Sequence, residues 1–386
     1  MKKTFVIAPD SFKESLTAKE ACEAMARGIQ KVFQEAELIK VPMADGGEGT
    51  LDALIDATNG EKKYVTASGP FPLKKVTTYY GFLGDSTTAV IEMAKINGLE
   101  LLTTAERNPL LTSTYGTGEL IKSALDHGAK KIILAIGGSA TNDGGAGMAQ
   151  ALGAKLLDKK GHPIKLGGGN LDQLAHIDCS AFEPRLKDVA LVVACDVTNP
   201  LLGIKGATHV FGSQKGATLA MIEKLEHNLA SYAKIIERDL NRQVATISGA
   251  GAAGGLGAGL LAFTSAELKS GIEIVIQATE LEHKIQKADY VFTGEGGIDY
   301  QTKFGKTPYG VAKTARKYHV PVFVCAGYVG EHVESLYEEG ITAIFGILNQ
   351  AEPLPKALPK GAANLERTSE NIARVLCQAA IKNSKE

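Results

Sequence analysis

The sequence predicts an α/β protein whose parallel sheets are covered by helices on both faces. Three observations carry that expectation. Short continuous apolar runs recur along the chain, each run opens into a Gly/Asp-rich loop, and most of those loops lead into a helical pattern. Glycine punctuates this rhythm, with 43 in 386 residues, clustered rather than spread.

In chain order, TFVIA (Thr4 to Ala8) reads as a first strand running into PDSFKES. Thr17-Ala-Lys-Glu20 then forms a capping box that opens a helix reaching about Gln34. LIKV (Leu38 to Val41) runs into PMADGGEGT and a helix over Leu51 to Thr58. Between Tyr64 and Glu92 the strands are shorter and alternating (VTTYYGF, TTAVIEM), joined at Gly84-Asp85, and read as antiparallel. KKIILAI (Lys130 to Ile136) leads through GGSATNDGGAG to a helix ending at Leu152, and ALVVA (Ala190 to Ala194) runs into CDVTNPLLG. A long polar helix from Thr218 to about Asn241 lacks a βαβ neighbour. DYVFT (Asp289 to Thr293) opens into GEGGIDYQTKFGKTP and a helix from Gly310 to Tyr318. VPVFVCA (Val320 to Ala326) and a Pro-marked loop (Ala351 to Ala362) precede the last helix. Together these predict a Rossmann-like parallel-sheet domain built from both chain ends, residues 1–64 and 287–386. A second α/β domain, residues 65–286, is inserted between them, with ligand expected in the cleft.

Composition narrows the function. Lys plus Arg number 42 against 43 Asp plus Glu, so no global field would hold nucleic acid or an anionic membrane. The five cysteines are scattered without a C-x-x-C pair, which suits a reducing compartment. The start, MKKTFVIAPDSFKES, reads as a strand rather than a secretory signal, and no apolar stretch spans a bilayer. The expectation is a cytoplasmic protein.

Five predicted strand ends carry acidic residues, three of them in Gly-rich loops: Asp10; Asp45 with Glu48; Asp143; Asp196; and Glu295 with Asp299. Ligands of open α/β sheets bind beyond the carboxyl ends of strands. Gly-rich loops there make nests for anions, and carboxylates beside such a nest imply a cation between. A phosphate-bearing ligand with Mg²⁺ satisfies both, since Mg²⁺ needs only one or two protein carboxylates. Lys13 and Lys306 add positive charge in two of the same loops.

Familiar nucleotide motifs fit poorly. Gly305-Lys306-Thr307 resembles the end of a P-loop, yet Tyr300 stands where that motif needs glycine. GAGAAG (Gly249 to Gly254), after a strand-like VATIS, satisfies the dinucleotide pattern in a chain where glycine makes chance matches common. No zinc-ligand spacing and no nucleophile elbow is present.

The quoted loops, taken as a set, resemble the type-1 glycerate kinase family. APDSFKESLTA, VPMADGGEGT, IGGSATNDGGAGMAQALGA, ACDVTNPLLG, GAAGGLGAGL and FTGEGGIDYQTKFGKTPYGVA look like its signatures and follow its order from residue 4 to about residue 330. Glu14 departs from the glycine expected in the first of them. The resemblance implies ATP, Mg²⁺ and D-glycerate, and transfer chiefly to the 2-hydroxyl, giving 2-phosphoglycerate rather than 3-phosphoglycerate. On that footing Asp45 and Asp196 are candidates for general base and Mg²⁺ ligand, in an open order. Lys13 or Lys306 would neutralise the γ-phosphoryl group. Asp10, Ser11, Gly46, Gly47, Glu48, Gly138, Ser139, Asn142, Asp143, Gly294, Glu295, Gly296, Gly297 and Asp299 are the expected nucleotide- and substrate-binding residues. Two other readings stay open: an NAD(P)-dependent oxidoreductase of a small hydroxy acid, resting on GAGAAG, and a non-catalytic nucleotide or sugar-acid sensor. Neither nucleic acid nor membrane is an expected partner, and a homodimer is left open.

Overall fold

A computed structural model describes residues 2–383. The chain divides into two compact units. A terminal unit contains the chain up to Asp45, Asp52–Asn59, and everything from Gly271 onward; an inserted unit contains Gly46–Leu51 and Gly60–Ser270. The return to the terminal unit thus falls at Gly271, ahead of the position near Lys287 that the sequence suggested.

The chain starts in the terminal unit with β1 (Thr4–Ile7) and β2 (Glu37–Lys40). It then supplies eight strands to the inserted unit: β3 (Glu61–Ser68), β4 (Lys75–Phe82), β5 (Thr88–Glu92), β6 (Lys131–Ala135), β7 (Lys155–Leu157), β8 (His176–Asp178), β9 (Ala190–Ala194) and β10 (Glu267–Lys269). It returns for β11 (Tyr290–Ile298), β12 (Val322–Val329) and β13 (Ala343–Gly346).

The terminal unit is a wholly parallel five-stranded sheet in the order β13-β12-β11-β1-β2. Non-consecutive strands side by side require crossovers, and helices supply them. The helix Ala18–Gln30 starts at the predicted capping box, with Thr17 and Glu20 exchanging bonds, and stops short of Gln34. It buries an alanine-rich face and lies close against the last helix, Gly361–Asn383. The approach is close enough that a Cβ on Gly28 would sit 2.2 Å from the Glu366 carbonyl oxygen, so only glycine fits. Phe5, Phe292 and Phe323 fill the centre of this unit's core with tilted ring contacts.

The inserted unit holds a six-stranded mixed sheet, β10-β9-β6-β5-β4-β3, and a small antiparallel pair, β7-β8. The antiparallel section predicted from the alternating pattern is present in the pairs β3/β4 and β4/β5. It does not stand apart, because β5 also runs parallel to β6 and joins it to β9 and β10. The long helix Leu219–Leu240 is capped by the Thr218 hydroxyl and ends at Asn241 in the left-handed conformation.

Two expectations need correction. The run VATIS before GAGAAG is loop, not strand, so no βα unit surrounds that glycine pattern. Gly254 and Gly255 take positive φ and pack on the loop after β6, where a Cβ on Gly254 would meet the Thr141 carbonyl at 2.0 Å. Their role here is close backbone packing. The second correction is that β11 continues through GEGGI, which read as loop, because β12 pairs with it as far as Ile298↔Val329. Among the described residues no helix is long and apolar enough to cross a membrane.

Candidate active site

In the terminal unit, the end of β1 and the length of β11 bring acidic residues together. The Asp10 amide donates to the Gly294 carbonyl (2.8 Å), and the Thr293 hydroxyl donates to the Ala8 carbonyl (2.7 Å), which fixes the two strand ends against each other. The Asp10 carboxylate accepts from the Ser11 amide (2.6 Å) and from the Thr307 hydroxyl at the start of the helix Thr307–Arg316. Glu295, only 8% exposed, faces Lys306 with its Oε1 3.4 Å from Nζ; the same ammonium lies 3.4 Å from the Gly297 carbonyl.

Electrostatics marks this cluster out. Burial first, and the negative charge of Asp45 second, push the Asp10 carboxyl up to about 6 although Thr307 and Ser11 pull it down. Burial pushes Glu295 up to about 7 against the pull of Lys306, with Asp10 and Asp45 adding repulsion. Asp10, Asp45 and Glu295 therefore share one neighbourhood, with Lys306 facing Glu295, an arrangement typical of functional sites. Carboxylate oxygens suit a hard cation, and the crowded negative charge would be relieved by one. Among the described residues no three His, Cys, Asp or Glu side chains form a metal cage.

Lys13 stands exposed at the tip of a tight turn closed by Phe12 and Leu16, and Gly296 packs against the backbone of Phe12 and Lys13. Glu14, beside it, holds φ at 62°, a left-handed conformation that glycine adopts freely and that costs another residue about 1 kcal/mol. The glycine expected here thus has a backbone reason. Asp299 accepts from the Gln301 amide (2.8 Å) and caps the turn Tyr300–Phe304, so its carboxylate has a local structural task.

The inserted unit has its own polar centre, at the carboxyl ends of β5 and β6. Gly46 and Gly47 lie here, with Gly47 Cα 3.8 Å from where a Cβ on Gly137 would stand. Buried Glu92, the last residue of β5, accepts from the Gly49 and Leu51 amides (3.3 and 3.4 Å), while Glu48 points outward and is exposed. Gly137 and Gly138 are exposed, and Ser139 is 7% exposed. Lys215, buried to 2%, donates to the Ser139 hydroxyl (2.8 Å) and the Thr141 carbonyl (2.7 Å).

Asn142 and Asp143, expected at ligand, are both fully buried. Asn142 Nδ2 donates to the Thr208 hydroxyl (3.0 Å). Asp143 accepts from the Ser113 and Thr114 hydroxyls and from the amides of Thr114, Gly145 and Gly147, bracing the loop from within. Asp196 follows β9 and is exposed. Sequence reasoning missed Thr307, although it adjoins Lys306, and missed Glu92, an acid at a strand end in the segment set aside as antiparallel. It missed Lys215 as well, where no pattern distinguishes a buried lysine from a solvated one.

Parallel sheets with acidic, Gly-rich strand ends, a lysine among carboxylates and a helix start beside them define an α/β enzyme built to handle charged small ligands. Comparison with known proteins places it more narrowly. Residues 5–377 match the model of the glycerate kinase family. A glycerate kinase of Halalkalibacterium halodurans is 53% identical over 372 residues, covering 96% of this chain and 98% of its own. A glycerate 2-kinase of Escherichia coli is 52% identical over 371 residues, covering 96% and 97%. A crystal structure described as a candidate glycerate kinase 2 from Salmonella typhimurium superposes with a TM-score of 0.90 at 47% identity, covering 98% of this chain and 99% of that one. The chain belongs to the glycerate kinase family.

Proposed function

We propose that this chain transfers the γ-phosphoryl group of ATP to the 2-hydroxyl of D-glycerate, giving 2-phosphoglycerate. The observation that carries this reading is the family match over nearly the whole chain, joined to 52% identity with a protein named glycerate 2-kinase. Phosphoryl transfer asks a protein mainly for positioning and charge neutralisation. The terminal unit supports both: Lys306 offers its ammonium to the transferring group, and the start of the helix Thr307–Arg316 favours negative charge. Asp10, pushed up to about 6, retains the proton affinity to accept the hydroxyl proton at neutral pH. Asp45 is the proposed Mg²⁺ ligand, and exposed Asp196 is the inserted unit's candidate for the same pair of roles. Mg²⁺, when bound, would offset charge on the ATP phosphates. Lys13 is a second candidate cation from its exposed turn. Gly46, Gly47, Gly296 and Gly297 are the proposed backbone donors to substrate oxygens, and Asn142 and Asp143 serve by bracing. The cytoplasm is the proposed compartment.

The test is to incubate the protein with ATP, Mg²⁺ and a panel of small hydroxy acids and identify products by ³¹P NMR. A phosphoglycerate from D-glycerate is expected. Binding of both ligands without any phosphate ester would favour the sensor reading, and NAD(H) binding without turnover would favour the oxidoreductase.

A further inference from the structure

Lys215 is a fully enclosed lysine that the proposed chemistry does not use. Taking an ammonium out of water is costly, and burial alone pushes this one down to about 7, with Asp143 the charged group opposing that fall. Arg107 also reaches this segment, donating to the Gln214 carbonyl. A lysine enclosed at such expense calls for an account of what it faces. Two of its donors go to one turn, the Ser139 hydroxyl and the Thr141 carbonyl.

That turn has donors to spare. The Gly138 carbonyl accepts from the Leu99 amide and the Ala140 amide donates to the Asn97 carbonyl, which pins the turn on the segment after β5. Among the described residues, no backbone acceptor takes the amides of Gly137, Gly138 or Ser139. Gly137 and Gly138 are exposed, and Gly138 has φ 70°, so the run of amides can curve around an oxygen ligand. The Ser139 oxygen already accepts from Lys215, so its own proton is available to be donated.

Resting on the kinase reading, we propose that the turn Gly137–Ser139 is an oxyanion cradle for a charged group of the substrates, and that Lys215 is its positioning residue, donating to the Ser139 oxygen so that the hydroxyl proton is directed outward. The anion is either the glycerate carboxylate or a phosphate of ATP, which present the same oxygen chemistry to these donors.

The test compares Ser139→Ala and Lys215→Met with the wild type, measuring kcat, KM for each substrate, melting temperature, and calorimetric Kd for D-glycerate and for ATP. Methionine keeps the apolar stem of lysine without the charge, and Ser139→Ala leaves Lys215 in place should the other variant fold poorly. Both variants are expected to weaken binding of the same single substrate by about tenfold or more, with kcat changed less and Ser139→Ala melting near the wild type. If that substrate is D-glycerate, the bound group is the carboxylate; if it is ATP, the group is a phosphate. Unchanged KM and Kd for both substrates in a folded Ser139→Ala, or losses that merely follow melting temperature, overturn the inference while wild-type turnover leaves the kinase reading intact. A wild-type chain that binds neither anion sinks both together.

Discussion

Replacing Asp10 by asparagine should move stability and catalysis in opposite directions. The folded chain raises this carboxyl from an ordinary 3.8 to about 6, chiefly by burial and then by the charge of Asp45. At about 1.4 kcal/mol per pKa step, ionising it costs the fold about 3 kcal/mol. Because the folded pKa is the higher one, the native chain holds a proton that the unfolded chain releases between about pH 4 and pH 6. Stability therefore falls across that window and levels off above it. Asparagine has no charge to desolvate. Its oxygen can accept one of the two bonds now made by Ser11 and Thr307, and the mismatch at the other costs about 1 kcal/mol. The net expectation is a gain of about 1–2 kcal/mol at pH 8 and a loss of about 1 kcal/mol below pH 4, where the wild-type carboxyl is neutral in both states. Glu295 reinforces the gain, since Asp10 contributes to holding its carboxyl near 7. For a unit of this size each kcal/mol moves Tm by roughly 2–4 °C. Melts at the two pH values in the presence of EDTA, with kcat measured alongside, provide the assay. A kcat lowered about 10²-fold in a protein that melts higher at pH 8 is the expected pair. A Tm shift of the same sign and size at both pH values would refute the desolvation reasoning, and near-normal kcat would remove Asp10 from the chemistry.

Asp45→Asn and Asp196→Asn should each lower kcat by about 10²-fold while stability stays within about 1 kcal/mol; normal turnover in both, read by a coupled assay, would take them out of the mechanism. Asp143→Ala should behave as a structural lesion, costing about 3 kcal/mol or more because the amides of Thr114, Gly145 and Gly147 lose their acceptor inside the unit, and its loss of activity should track a lowered Tm. Asp85→Asn should leave kcat untouched. Asp85 is not silent in stability as a plain turn residue would be: it accepts from the Thr87 and Thr88 amides and the Thr88 hydroxyl, and these bonds hold its carboxyl below the ordinary range. The expected cost is under about 1 kcal/mol at this exposed site, present at neutral pH and fading as pH falls through the carboxylate range, which melts at pH 7 and pH 3 would show.

What the sequence disclosed depended on how local the cause was. β1, β9 and the Thr17 capping box were legible because continuous apolar runs and cap chemistry are written in adjacent residues. The extension of β11 through glycines was not, since the ladder that makes it a strand comes from β12. VATIS has strand-like residues but no sheet neighbour to pair with, so composition misled. Asp10 and Asp143 are both acids in the loop after a parallel strand, and meet opposite fates. Asp10 gathers other carboxylates around it, whereas Asp143 is enclosed by donors from Ser113 and Thr114, about thirty positions upstream. Enclosure of that kind also hid Lys215, whose partners lie more than seventy positions away.

The most direct measurement of the central claim is an enolase-coupled assay with ATP, Mg²⁺ and D-glycerate, run without phosphoglycerate mutase. Enolase consumes the 2-isomer alone, so an immediate signal that does not increase when mutase is added is the predicted result. A signal that arises only after mutase is supplied would place the phosphate on the 3-hydroxyl and contradict the assignment.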